Sequence, residues 1–209
     1  MSALPPPRSD VFVVSAPSGT GKSTVIRQVL ERVGGLHFGV SHTTRPRREG
    51  ERDGHDYWFV DDEEFSRLEA AGEFLEWATV HGCRYGTSRG EVERSRQAGE
   101  DALLDLDVQG AQAIRTGYPE AILVFLLPPE YEDLGSRLRH RGTAGEDLDI
   151  RLQNARREIE DARRFDYLIL NERVEQAAVE LESIVRAARC RRSRRRELLE
   201  RVAATFPAK

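Results

Sequence analysis

Val11-Phe12-Val13-Val14-Ser15-Ala16-Pro17-Ser18-Gly19-Thr20-Gly21-Lys22-Ser23-Thr24-Val25-Ile26-Arg27-Gln28-Val29-Leu30 decides the fold. An apolar run passes through a loop of small residues into a segment whose apolar positions 25, 26, 29, 30 and 33 recur at helical spacing, which predicts a strand, a loop and a helix. Within it, Ala16 to Ser23 follow the phosphate-cradling pattern G-x-x-x-x-G-K-[ST], except that Ala16 stands where the first glycine is usual. Ala16, Pro17, Ser18, Gly19, Thr20, Gly21, Lys22 and Ser23 are therefore the expected contacts to ATP or GTP. Backbone N–H groups wrap the phosphate oxygens, Lys22 reaches the β- and γ-phosphates, and the Ser23 hydroxyl ligates Mg²⁺ at a helix N-terminus that favours negative charge.

Composition narrows the class. The chain has 209 residues, 39% of them hydrophobic and 33% charged, which suits one large globular domain or a core with an inserted lobe. No stretch approaches the ~18 apolar residues of a membrane span, so no membrane partner is expected. Residues 1–9 are proline-rich without the apolar centre of a secretory signal and read as a flexible leader of a cytoplasmic chain. Cys83 and Cys190 are far apart and read as free thiols, and the histidines show no metal-ligand spacing. Seven arginines crowd between Arg186 and Arg196, leaving 25 basic against 36 acidic residues elsewhere. This run reads as a solvated helix end rather than a nucleic-acid site.

Strand-like runs at 11–15, 101–106, 121–127 and 167–170 alternate with helical patterns at 22–33, 109–116, 130–140, 150–164 and 174–189. The predicted class is α/β: a three-layer core with a parallel sheet. Between 36 and 99 the pieces become shorter and more aromatic, as in Asp56-Tyr57-Trp58-Phe59-Val60 and Phe74-Leu75-Glu76-Trp77. That segment reads as a lobe inserted between core segments 10–35 and 100–209.

The lobe carries a second cluster of chemistry, Ser41-His42-Thr43-Thr44-Arg45-Pro46-Arg47-Arg48-Glu49-Gly50-Glu51. Arginine forks suit a phosphate, and Tyr57 and Tyr85 can add hydroxyl donors to the same anion. Asp105 and Asp107 end an apolar strand, where a carboxylate can serve the magnesium environment. Arg137, Arg139, Arg141 and Arg151 form a further basic group.

Taken together with Tyr85-Gly86-Thr87 and Leu104-Asp105-Leu106-Asp107-Val108-Gln109-Gly110, these motifs resemble the guanylate kinase family from about Val11 to beyond Asn171. The resemblance implies transfer of the γ-phosphoryl of ATP to GMP, and to dGMP, with Mg²⁺. It also implies a GMP-binding lobe and a mobile lid at about 137–151. By resemblance, Arg45, Arg48, Tyr57 and Tyr85 hold the GMP phosphate, while Ser41, Glu76, Thr87 and Asp107 surround the guanine. Arg141 and Arg151 close over the moving phosphoryl, and Arg137 and Asn171 lie near ATP; with Asp107 on the guanine side, Asp105 is the better candidate to join Ser23 in the magnesium environment, the sequence leaving the division between the two aspartates open. Lys22, Arg45, Arg141 and Arg151 are the implied catalytic groups.

Guanine chemistry agrees with this assignment. Its N1–H and 2-amino group are adjacent donors that one carboxylate can accept, whereas adenine presents an acceptor at N1. The interval from Arg141 to Arg151 is one position shorter than is usual in the family. Two other readings stay open: a non-catalytic guanylate-kinase-like interaction module, and a phosphate-loop kinase for another monophosphate. Nucleotides are the expected small-molecule partners of a monomer or small homo-oligomer.

Overall fold

Strand-forming sequence becomes a central sheet because its apolar side chains alternate between two helical layers. The computed structural model describes residues 9–80, 82–140 and 145–207, the side chains of His140, Glu146 and Asp147 aside. The chain runs β1 (Val11–Ser15), α1 (Lys22–Arg32), β2 (Leu36–Gly39), β3 (His42–Thr43), β4 (Trp58–Phe59), α2 (Asp62–Ala70), β5 (Phe74–Val80), β6 (Cys83–Ser88) and α3 (Arg89–Ala98). It continues through β7 (Asp101–Asp105), α4 (Val108–Gly117), β8 (Ile122–Leu127), α5 (Tyr131–His140), α6 (Gly145–Asp161), β9 (Tyr167–Leu170), α7 (Val174–Arg189) and α8 (Arg196–Ala203).

A five-stranded parallel sheet in the order β2-β7-β1-β8-β9 forms the middle layer. Phe12 and Val14 of β1 pack with Val25, Ile26 and Val29 of α1 and Leu181 and Val185 of α7. Val11 and Val13 face the other way, toward Val92 of α3 and Ala111 and Ile114 of α4. This period of two, buried on both faces, gives the continuous apolar runs of a covered parallel sheet. The chain leaves β1 toward the β2 edge and β8 toward the β9 edge, so the carboxyl ends of those strands frame a crevice.

Residues 36–39, read from the sequence as the start of the lobe, instead pair with β7 at the edge of the core sheet. Their alternating Leu36 and Phe38 reach the apolar cluster around α1, which holds them there. The next segment forms a separate four-stranded sheet in the order β4-β3-β6-β5, with Phe65 of α2 packed at a tilt on Phe74. Gly86 admits these rings, since a Cβ on it would stand 2.9 Å from Phe74. Strand β5 lies against α4, joining the lobe to the core.

Helices α5 and α6 meet through Leu134, Leu138 and Ala155. Helix α6 starts at Gly145, ahead of the predicted 150, and its end tightens into a 3₁₀ turn at Ala162–Arg164. Helix α8 was not expected from the arginine-rich sequence, and none of its residues is buried.

Candidate active site

The loop between β1 and α1 is shaped by two glycines and tied down from two directions. Gly19 and Gly21 have φ of 94° and 100°, in the region that side chains rarely adopt. The turn is closed by Thr20 N donating to the Pro17 carbonyl at 3.1 Å. The Thr20 carbonyl accepts from Arg137 Nη1 at 3.0 Å and from the buried Asn171 Nδ2 at 2.7 Å. Arg137 and Asn171 therefore meet the loop itself. Ala16, the departure from the usual pattern, packs against the apolar cluster of the core.

Lys22 opens α1 and turns back to the carboxyl end of β7. Its Nζ lies 2.6 Å from Asp105 Oδ1 and donates to the Leu106 carbonyl at 2.9 Å. Ser15 Oγ donates to the same carbonyl at 2.6 Å. Ser23 is exposed on the first turn of α1, which carries no acidic residue of its own and no side-chain cap, so the positive end of the helix dipole is not offset from within the helix. A hydroxyl and the Asp105 carboxylate are hard oxygen donors of the kind magnesium takes beside phosphate oxygens.

The lobe presents two polar groupings. In the first, Glu76 of β5 is buried, and its Oε1 accepts from Thr87 N of β6 at 3.1 Å. Burial pushes the Glu76 carboxyl above the usual range, the Thr87 hydrogen bond opposes this, and the Asp107 charge adds to it. Ser41 Oγ and Thr87 Oγ1 are 3.5 Å apart. Asp107 caps α4, accepting from Gly110 N at 2.8 Å.

In the second grouping, Arg45 makes a two-pronged pair with Glu51, through Nη2 to Oε1 at 2.8 Å and Nη1 to Oε2 at 3.0 Å. Its guanidinium lies 5.4 Å from the Tyr57 ring centre and 5.6 Å from that of Phe59. Tyr57 meets Tyr85 edge-on at 5.9 Å. Burial, then the charge of Asp105, raises the Tyr57 hydroxyl above its ordinary pKa, so the phenol stays a donor. Arg48 is exposed, and its backbone N donates to Glu51 Oε2 at 2.8 Å. The Arg45 hydrogen bond holds the Glu51 carboxyl below its usual range.

A cleft of about 290 Å³ joins the loop at Ser18, β5 at Thr79, α4 at Asp107 and α6 at Arg151, Asn154 and Glu158. Arg141 lies outside the described residues. Two carboxylates here were not named from the sequence as site residues. Glu51 braces Arg45, and Glu158 is pushed up to about 7 by burial, with Lys22 opposing and Asp107 adding to the shift. Spacing could have found Glu158: positions 151, 154 and 158 share one face of a helix, and Arg151 was already a candidate.

Comparison with known proteins gives the same picture. A family model described as Guanylate kinase matches residues 8–188. A guanylate kinase of Nitrosomonas europaea is 50% identical over 182 residues, 87% of this chain and 90% of the relative. One of Thermotoga maritima is 44% identical over 195 residues, 93% of this chain and 94% of the relative. The crystal structure of guanylate kinase from Anaplasma phagocytophilum superposes with a TM-score of 0.77 at 36% identity, covering 96% of this chain and 97% of that one. With a family model matching residues 8–188, and relatives 44–50% identical over most of both chains, this chain belongs to the guanylate kinase family.

Proposed function

We infer that this protein is a guanylate kinase enzyme that moves the γ-phosphoryl of ATP to GMP, giving ADP and GDP. The observation that carries the reading is a buried carboxylate, Glu76, held by Thr87 N and standing across Gly110 from Asp107, which lines the same cleft as Ser18 of the phosphate loop. ATP is assigned to the loop Ala16–Ser23, with Lys22 on its β- and γ-phosphates and Arg137 and Asn171 holding the loop's shape. GMP is assigned to the lobe, its phosphate to Arg45, Arg48, Tyr57 and Tyr85 and its base to Ser41, Glu76, Thr87 and Asp107. The same contacts serve dGMP, which shares the base and the phosphate.

No general base is needed. A phosphate monoester has its second pKa near ~6, so GMP is mostly a dianion at neutral pH and already nucleophilic. The protein aligns two nucleotides in line, and Lys22, Arg45, Arg141 and Arg151 supply positive charge where the transferring phosphoryl develops negative charge. Closure of the α5–α6 region over the cleft keeps water from replacing GMP as acceptor. Magnesium, assigned to Ser23 and Asp105, supplies neutralisation of the phosphate oxygens when bound. Among the described residues no helix is long and apolar enough to cross a membrane. We place the reaction in the cytoplasm with its nucleotide substrates.

A coupled assay of ADP release tests this, with ATP·Mg²⁺ fixed and GMP, dGMP, AMP, CMP, UMP or no acceptor supplied. Turnover confined to GMP and dGMP is expected. Equal turnover with AMP, or with no acceptor, would overturn the assignment.

A further inference from the structure

Gly110 has no conformational reason to be glycine. It is a buried residue in the first turn of α4, and its φ lies outside the left-handed region. At such a position glycine is less favourable than alanine by up to about 1 kcal/mol, so something other than backbone freedom must exclude the methyl group.

Space excludes it. A Cβ on Gly110 would stand 2.9 Å from Glu76 Oε2, 3.2 Å from the Glu76 carboxyl carbon and 3.2 Å from Asp107 Oδ1. Each carboxylate is tethered, Glu76 through Thr87 N and Asp107 through Gly110 N, so neither can move aside without disturbing its hydrogen bond. Glu76 belongs to the lobe and Gly110 to the core, and their elements lie against each other.

We propose that Gly110 is a positioning residue for guanine recognition: its missing side chain lets the Glu76 carboxylate lie flush on the first turn of α4, which sets where that carboxylate aims. The proposal rests on the assignment of Glu76 to the base of GMP. A methyl at residue 110 meets the far end of a side chain rather than backbone, so the least costly relief is to turn the Glu76 carboxylate. The fold absorbs that change, and the base site does not.

The test compares G110A, E76Q, E76D and the double variant G110A/E76D in steady-state kinetics and thermal melting. G110A is expected to melt close to the parent and to keep its KM for ATP. Its kcat/KM for GMP should fall about tenfold or more, mostly through KM, equivalent to a loss of about 1.4 kcal/mol. E76D withdraws the carboxylate by one methylene, so adding G110A to E76D should cost far less in kcat/KM for GMP than adding it to the parent; this coupling, with no matching change in melting temperature, is one that a purely structural role would not produce.

Where G110A folds, three results would overturn the proposal. In the first, E76Q loses GMP use and G110A does not. In the second, the G110A loss is the same in the E76D background. In the third, E76Q uses GMP as well as the parent, which defeats the Glu76 assignment itself and the proposal with it. Should G110A fail to fold, a folded and GMP-competent G110A/E76D supports the proposal and an unfolded one overturns it.

Discussion

Lys22 shows how a single residue joins the loop to the sheet. Its ammonium is shared between Asp105 and the Leu106 carbonyl, so the charge is held at the end of β7, where the proposed function puts the β- and γ-phosphates. Lys22→Ala should lower kcat by about 10²–10³-fold, the range for removing one preorganised positive group, with KM for GMP little changed. Varying ATP and GMP separately in the coupled assay measures both. The sequence made Lys22 legible because its meaning lies in its immediate neighbours. Glu51 was quoted from the sequence without a role, because a surface-loop glutamate has many possible partners. Only the folded loop selects Arg45, with two hydrogen bonds and an aromatic backing.

Among elements, α7 and the segment after it revise the reading of the arginine run. Arg189 Nε lies 2.7 Å from Asp101 Oδ2, and its two Nη groups donate to the Gly34 and Gly35 carbonyls at 2.9 and 2.7 Å. Arg194 Nη1 lies 3.0 Å from the other Asp101 oxygen, which also accepts from Asp10 N. Asp101 is only 2% exposed, so these arginines clamp α7 to the start of β7 rather than forming a solvated end. Arg189→Ala leaves that carboxylate short of a partner and should cost about 3 kcal/mol. For a domain of this size that is a fall in Tm of roughly 6–12 °C, read by calorimetry, with KM values unchanged. Charge counting could not separate the clamping arginines from the exposed ones, since burial belongs to the surface each one meets.

The whole molecule is a core, a lobe and a helical pair converging on one cleft, and Glu158 reports how closely they meet. Its carboxyl is pushed from an ordinary 4.5 to about 7 because it sits half-buried on α6, against the pull of Lys22 and with the repulsion of Asp107. Below pH 4.5 it is neutral in both folded and unfolded chains and contributes no pH dependence. Between 4.5 and about 7 the unfolded chain ionises first and the folded chain holds the extra proton, so this group lowers stability as pH rises, then levels off. Melting temperatures of E158Q and the parent across that range should diverge in favour of E158Q as pH rises, and a constant difference would refute the buried placement. The sequence by itself determined the parallel α/β core, the phosphate loop and the family. Strand alternation, helical spacing and the loop pattern are each written in consecutive residues, and so are their consequences. Tertiary structure alone decided that Asn171 grips Thr20 from 151 positions away, that Gly110 makes room for Glu76, and that Leu36–Gly39 joins the core sheet. These depend on which surfaces pack together, and packing is settled by the shape and burial of whole elements rather than by any local pattern.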